Sequence, residues 1–98
     1  MLRDKEFVLK DVWFAEAFRN GEKLSLTLKE FELLKLLLLS RGKVLTRDFL
    51  LDRIWGYEFY GETRTVDMHI KTLRHKLGDA GGQIKTVIGV GYRLENEV

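Results

Sequence analysis

Residues 64–77 read RTVDMHIKTLRHKL. At about 100° per residue, Val66, Ile70, Leu73 and Leu77 fall on one stripe about 40–60° wide, the seam by which a helix joins a core. The opposite arc collects Arg64, Met68, Lys71, Thr72 and His75, flanked by Thr65, His69, Arg74 and Lys76, with Asp67 as the only acid in the stretch. One side of this helix belongs inside the protein. The other is either a solvated surface or a surface with a partner.

Outward from this helix the chain divides into short elements. Phe7 to Leu9, Val12 to Phe14 and Ala17 to Arg19 alternate as strands do, and Asn20-Gly21 is a two-residue hairpin signal leading into a strand over Lys23 to Leu26. Thr27 and Glu30 form a T-x-x-E capping box. It opens a helix running to about Ser40, with Leu28, Phe31, Leu34 and Leu37 expected inward and Gly42 as the stop. Thr46 caps a second helix, Arg47 to about Trp55, in which Phe49, Leu50 and Ile54 are apolar and Gly56 marks the C-terminal end. GYEFYGE, residues 56–62, links it to the third helix, which Gly78 ends. Ile84 to Ile88, a Gly89-Val90-Gly91 turn and Tyr92 to Glu95 read as a closing hairpin. With no repeat, linker or low-complexity tract, residues 1–98 are expected to be a single α+β domain.

Composition narrows the function classes. Ninety-eight residues with 45% hydrophobic and 33% charged side chains suit one core. The absence of cysteine excludes disulfides and thiolate chemistry and fits a reducing cytoplasm. The longest apolar run, Leu36 to Leu39, falls far short of the ~20 residues of a membrane span, and no apolar leader follows Met1, so a soluble cytoplasmic protein away from membranes is expected. Residues 1–62 balance 11 basic against 11 acidic side chains, whereas residues 63–93 carry 6 basic and 2 acidic. The positive excess therefore lies in the segment that begins with the amphipathic helix, the footprint expected of phosphate binding.

Strands, three helices and a glycine-tipped hairpin follow one another in the order of a winged helix-turn-helix. The third helix of such a domain is the natural reader, because the B-form major groove admits one helix. Arg64, Lys71 and Arg74 are suited to phosphates; Met68 and Thr72 are short or apolar enough to approach base edges. Lys85 and Arg93 place charge on the hairpin, which can lie along the backbone or enter the minor groove.

LTLKEFELLKLL (26–37), IWG (54–56), RTVDMHIKTLRHKL and TVIGVGYRL (86–94), in this order and spacing, resemble the effector domain of the OmpR/PhoB family of two-component response regulators. The resemblance implies a four-stranded N-terminal sheet, a three-helix core, a C-terminal wing and tandem binding to direct repeats in double-stranded DNA. It also implies a phospho-accepting receiver domain, absent from this chain, and a cognate histidine kinase. By the same resemblance Arg64, His69, Lys71 and Arg74 contact phosphates, with the Trp55 indole and Thr86 as further backbone anchors; His69 itself reads as a neutral donor. Met68 and Thr72 stand where members touch bases, Thr72 replacing what is commonly a longer polar or basic side chain. Ile88 stands where many members have a minor-groove arginine, which leaves the wing a backbone role through Thr86 and Tyr92, beside Arg93. Tyr57, Glu58, Phe59 and Tyr60 fall in the segment that touches RNA polymerase in the family.

Other chemistries lack a pattern. His69 and His75 are six residues apart with no third ligand, which argues against zinc. Gly89 to Gly91 precede no helix and cannot cradle a phosphate, and no acid, base and nucleophile share a motif, so neither a cofactor nor an enzymatic activity is expected. Trp55, on a mostly apolar helix, is expected partly in the core. Asp67, one turn into its helix, answers the helix dipole and steadies a neighbouring arginine. A protein-docking winged helix is the alternative function, since fold alone does not fix it. An RNA-binding module is a more distant one.

Overall fold

The computed structural model describes residues 2–4, 6–10, 15–56 and 62–95. Strands β1 (Leu2–Arg3), β2 (Phe7–Lys10), β3 (Glu16–Arg19) and β4 (Glu22–Leu24) form an antiparallel sheet in sequential order. The β3–β4 turn is the expected one: Asn20 and Gly21 both take positive φ, 50° and 85°, so Arg19 pairs with Glu22. Alternation along β2 and β3 sends Phe7, Leu9 and Ala17 into the core. The expected strand at Val12–Phe14 lies outside the described residues; β1 was not anticipated.

Helices α1 (Leu28–Leu39), α2 (Arg47–Trp55) and α3 (Arg64–Leu77) follow. The capping box forms as read: Thr27 Oγ1 accepts from the Glu30 amide, and Glu30 Oε1 accepts from the Thr27 amide at 2.8 Å. Leu28, expected inward, is 59% exposed. A strict three-residue spacing drifts by about 60° per step on a 3.6-residue helix, so Leu28 lies about 180° from Leu37. Leu33 and Leu38 fill the core face alongside Phe31, Leu34 and Leu37. Thr46 Oγ1 accepts from the Phe49 amide at 3.1 Å, and Gly56 ends α2 with φ 90°. Phe49 is partly exposed, with Arg53 over its ring. The α3 stripe is buried as read, with Val66, Ile70, Leu73 and Leu77 in one cluster with α1, α2 and the sheet.

Beyond Leu77 the chain does not simply stop its helix at Gly78. Gly78–Gln83 coils as a 3-10 helix that buries Ala80 and Gly81. A Cβ at Gly81 would sit 2.3 Å from the Arg74 carbonyl oxygen, so only glycine allows this return. The closing hairpin is β6 (Ile84–Val87) and β7 (Gly91–Leu94). Ile88, expected in the first strand, belongs to the turn, and Gly91, expected in the turn, begins β7. The cause is a third strand, β5 (Leu45–Thr46), which pairs with β7 at Leu45–Tyr92 and Thr46–Gly91. A Cβ on Gly91 would lie 2.0 Å from the Leu45 carbonyl oxygen, so the glycine is what lets β5 approach.

Glu30 is only 2% exposed, yet it is charged: burial opposes ionisation, but the Lys76 ammonium at 2.7 Å and the Thr27 amide outweigh it and hold the carboxyl below its usual range. A carboxyl lowered in the folded state contributes stability above its unfolded pKa of about 4.3, and the contribution is lost as pH falls through the folded value. Glu30→Gln keeps an acceptor for the Thr27 amide but removes the charge. In urea unfolding it is expected to cost about 1–2 kcal/mol at pH 7. That difference should shrink towards pH 3; a constant difference would show that the Glu30 charge is not what Lys76 recognises.

Candidate nucleic-acid interface

The outward arc of α3 is built as its sequence suggests: Arg64, Met68, Lys71, Thr72 and His75 are all exposed on one side. The ion pair of Arg64 with Glu62 is long, 3.8 Å, between two well-exposed side chains, and such pairs hold little. Arg64 and Lys71 therefore offer their charge to solvent. Lys76 does not, because its ammonium is turned to Glu30 on α1.

Asp67 sits on the flank of the same helix and joins it to two other elements. Its carboxylate accepts a two-pronged hydrogen bond from the Arg47 guanidinium at the start of α2, and a further one from the Tyr92 hydroxyl on β7. Burial pushes its carboxyl up, but the Tyr92 hydroxyl and Arg47 more than compensate and hold it below the usual range. Tyr92 is 6% exposed, and burial together with the Asp67 charge pushes its hydroxyl up to about 12. The sequence reading gave Asp67 an arginine partner; the tyrosine was missed, since nothing local links residues 67 and 92.

Arg74 makes the second joint. Its Nε and Nη2 donate to the Ile84 carbonyl at 3.1 and 2.7 Å, Nη2 also donates to Thr86 Oγ1 at 2.8 Å, and the guanidinium lies 5.5 Å from the Tyr92 ring centroid. Arg74 and Thr86 thus stand together on the seam between α3 and β6. The Thr86 oxygen accepts from Arg74, which leaves its own proton for another acceptor. Tyr92, by contrast, spends its proton on Asp67.

His69 Nδ1 lies 2.9 Å from the Thr65 carbonyl oxygen, which can only accept, so Nδ1 carries a proton. In the neutral ring Nε2 is then an acceptor, and a contact from Nε2 to a phosphate needs the imidazolium. This departs from the neutral donor expected from the sequence. The ring stands edge-on to Trp55, centroids 4.9 Å apart. Trp55 is half-buried against the core, with Lys29 Nζ 5.6 Å from its ring centroid and donating to the Ile54 carbonyl at 2.7 Å. It is thus partly core, as expected.

On the hairpin, Ile88 is 91% exposed at the tip, beside Gly89 with φ 76°. Arg93 pairs with Glu95 at 3.2 Å, and Lys85 is exposed. Tyr57, Glu58, Phe59 and Tyr60 lie outside the described residues. Among the described residues there is no cluster of potential metal ligands, and no helix is long and apolar enough to cross a membrane.

Residues 21–94 match the family model described as transcriptional regulatory protein, C terminal. Regulatory protein VanRB of Enterococcus faecalis is 52% identical over 79 residues, covering 81% of this chain and 35% of VanRB. The chain spans about a third of the length of the curated relatives it matches. The AdeR response-regulator DNA-binding domain, solved in complex with an intercistronic region, superposes with a TM-score of 0.85 at 31% identity, over 98% of this chain and all of that one. The Thermotoga maritima response regulator DrrB, an OmpR/PhoB homologue, gives a TM-score of 0.73 at 38% identity, over 84% of this chain and 38% of DrrB.

The Tyr92 hydroxyl can be removed while its ring, over which Arg74 lies, is kept. Tyr92→Phe is expected to cost about 0.5–1.5 kcal/mol in urea unfolding, the range for one hydrogen bond. The Asp67 carboxyl, followed by NMR titration, should move upward towards its ordinary value. An unmoved Asp67 would mean that the hydroxyl is not bonded to it in solution.

Proposed function

This chain belongs to the transcriptional regulatory protein C-terminal family, with OmpR/PhoB-type response regulators as its relatives, and from that premise we propose that it binds specific double-stranded DNA as the output domain of a two-component regulator. In this reading residues 1–98 are one DNA-binding unit, α3 enters the major groove, and β6 and β7 lie on the backbone or minor groove. The observation that carries it is the division of α3 into a fully buried stripe and an exposed arc on which Arg64 and Lys71 stand beside Met68 and Thr72. Arg64, Lys71 and the Arg74–Thr86 pair are assigned to phosphates, with the Trp55 indole and His69 beside them. Met68 and Thr72 are assigned to bases. Ile88 gives the wing tip an uncharged contact, and Tyr92 serves the wing from inside by bonding Asp67. Nothing in this arrangement calls for a cofactor or a catalytic step.

The larger assembly is part of the same proposal: a receiver domain elsewhere in the full-length regulator, a cognate histidine kinase, a cytoplasmic location, and paired binding to direct repeats. The aromatic and acidic run Tyr57, Glu58, Phe59 and Tyr60 is assigned to RNA polymerase, because aromatic side chains are enriched at protein interfaces. Glu58→Lys is expected to lower transcription from a target promoter while operator affinity stays within about 0.5 kcal/mol. Equal loss of both would assign the segment to the fold instead.

Salt separates DNA binding from protein docking, since counterion release makes affinity fall linearly in log salt. On a site selected from random duplexes and on random DNA alike, Lys71→Ala is expected to weaken binding and reduce the salt slope by roughly one unit. Ile88→Ala should leave the slope unchanged. A salt-independent affinity for every duplex would favour the docking module.

A further inference from the structure

We propose that Thr72 presents its methyl group, not its hydroxyl, to the duplex, and that Thr72 and Met68 together form an apolar reader of the thymine 5-methyl group. The inference rests on the DNA-binding reading above. Thr72 Oγ1 donates to the Met68 carbonyl at 3.1 Å, one turn back along α3. A threonine hydroxyl has one proton, and here it is spent on the helix's own backbone. Thr72 therefore has no donor for a purine N7 or for the O6 or O4 of a base. With the oxygen turned to the carbonyl and the residue exposed, Cγ2 is the group assigned to the outer surface.

The surroundings match that orientation. Met68 is 63% exposed and, four residues before Thr72, lies one turn away on the same face of α3. Met68, Lys71, Thr72 and His75 line an open hollow of about 580 Å³ on the outward face of α3. Lys71 can extend its aliphatic stem along the hollow while its ammonium reaches towards a phosphate. An apolar floor with the Lys71 cation at its side suits one feature of the major groove: only thymine among the four bases offers a methyl there. A longer polar or basic side chain at this position would instead bring donors to base edges, so Thr72 changes what is read rather than merely shortening the reach.

The test uses the selected duplex with each thymine in turn replaced by deoxyuridine, which removes the methyl and leaves base pairing intact. Loss of one contacting methyl is expected to weaken binding about fourfold at one or two positions. Thr72→Val, which keeps the methyl and discards the hydroxyl, should retain both the affinity and this sensitivity. Thr72→Ser, which keeps the hydroxyl and discards the methyl, should bind the thymine duplex about fourfold more weakly and no longer distinguish uracil there. Position 72 is exposed, so both variants are expected to unfold at the wild-type temperature. If Thr72→Ser matched the wild type while Thr72→Val lost binding, the hydroxyl would be the reader and the inference would fall. Binding with no sensitivity to uracil at any position would also overturn it while leaving DNA binding intact. If no duplex were selected at all, the reading beneath it would fall as well.

Discussion

One carboxylate fixes how the outward helix stands on the domain. Asp67 belongs to α3, accepts from Arg47 on α2 and from Tyr92 on β7, and so sets three elements against one another. Apolar packing of Val66, Ile70, Leu73 and Leu77 with Ile84 and Leu94 puts α3 and the hairpin in one core, and directional bonds then orient the two. The Arg74 guanidinium repeats the arrangement about two turns further on, reaching Ile84 and Thr86, and Lys76 ties the last turn to Glu30 on α1. A helix and a hairpin joined at two points form one body, and in the proposed reading this lowers the ordering cost of binding a duplex.

The same bonds divide the cations by task. Six basic side chains lie between residues 63 and 93. Arg74 holds the hairpin, Lys76 holds α1, and Arg93 faces Glu95. Arg64, Lys71 and Lys85 remain exposed. A charge count over a segment cannot separate these groups. Position along the helix does so in part, since Lys71 lies within the outward arc, whereas Arg74 and Lys76 lie on its flanks, within reach of β6 and α1. In the proposed DNA-binding reading a cation on a flank still serves: Arg74 keeps the Thr86 hydroxyl beside it, so the pair is assigned to one phosphate.

Much of the fold was legible because its signals are local. Thr27 with Glu30, Thr46 with the Phe49 amide, and Asn20-Gly21 act within four residues, so residue type and spacing suffice. Leu28 was misplaced by too simple a period, and the angular drift of that spacing would have corrected it from the sequence alone. The 3-10 helix after Gly78 has a weaker signal, the paired glycines of DAGGQ, whose use depends on the close approach of the Arg74 carbonyl to Gly81.

The sequence by itself determined the two faces of α3, the order of the elements and the residue types offered to a ligand, because helical periodicity and capping operate over a few residues. Tertiary structure alone decided which polar groups remain available. Tyr92 was assigned outward and is turned to Asp67, and β5 pairs with a strand more than forty residues away through a gap that Gly91 leaves open. His69 has its Nδ1 fixed by Thr65, and Thr72 has its hydroxyl turned to Met68. These last two bonds span only four residues, yet the sequence permits several rotamers at each position. Only the geometry of the folded side chain decides which face of a small polar residue meets the outside.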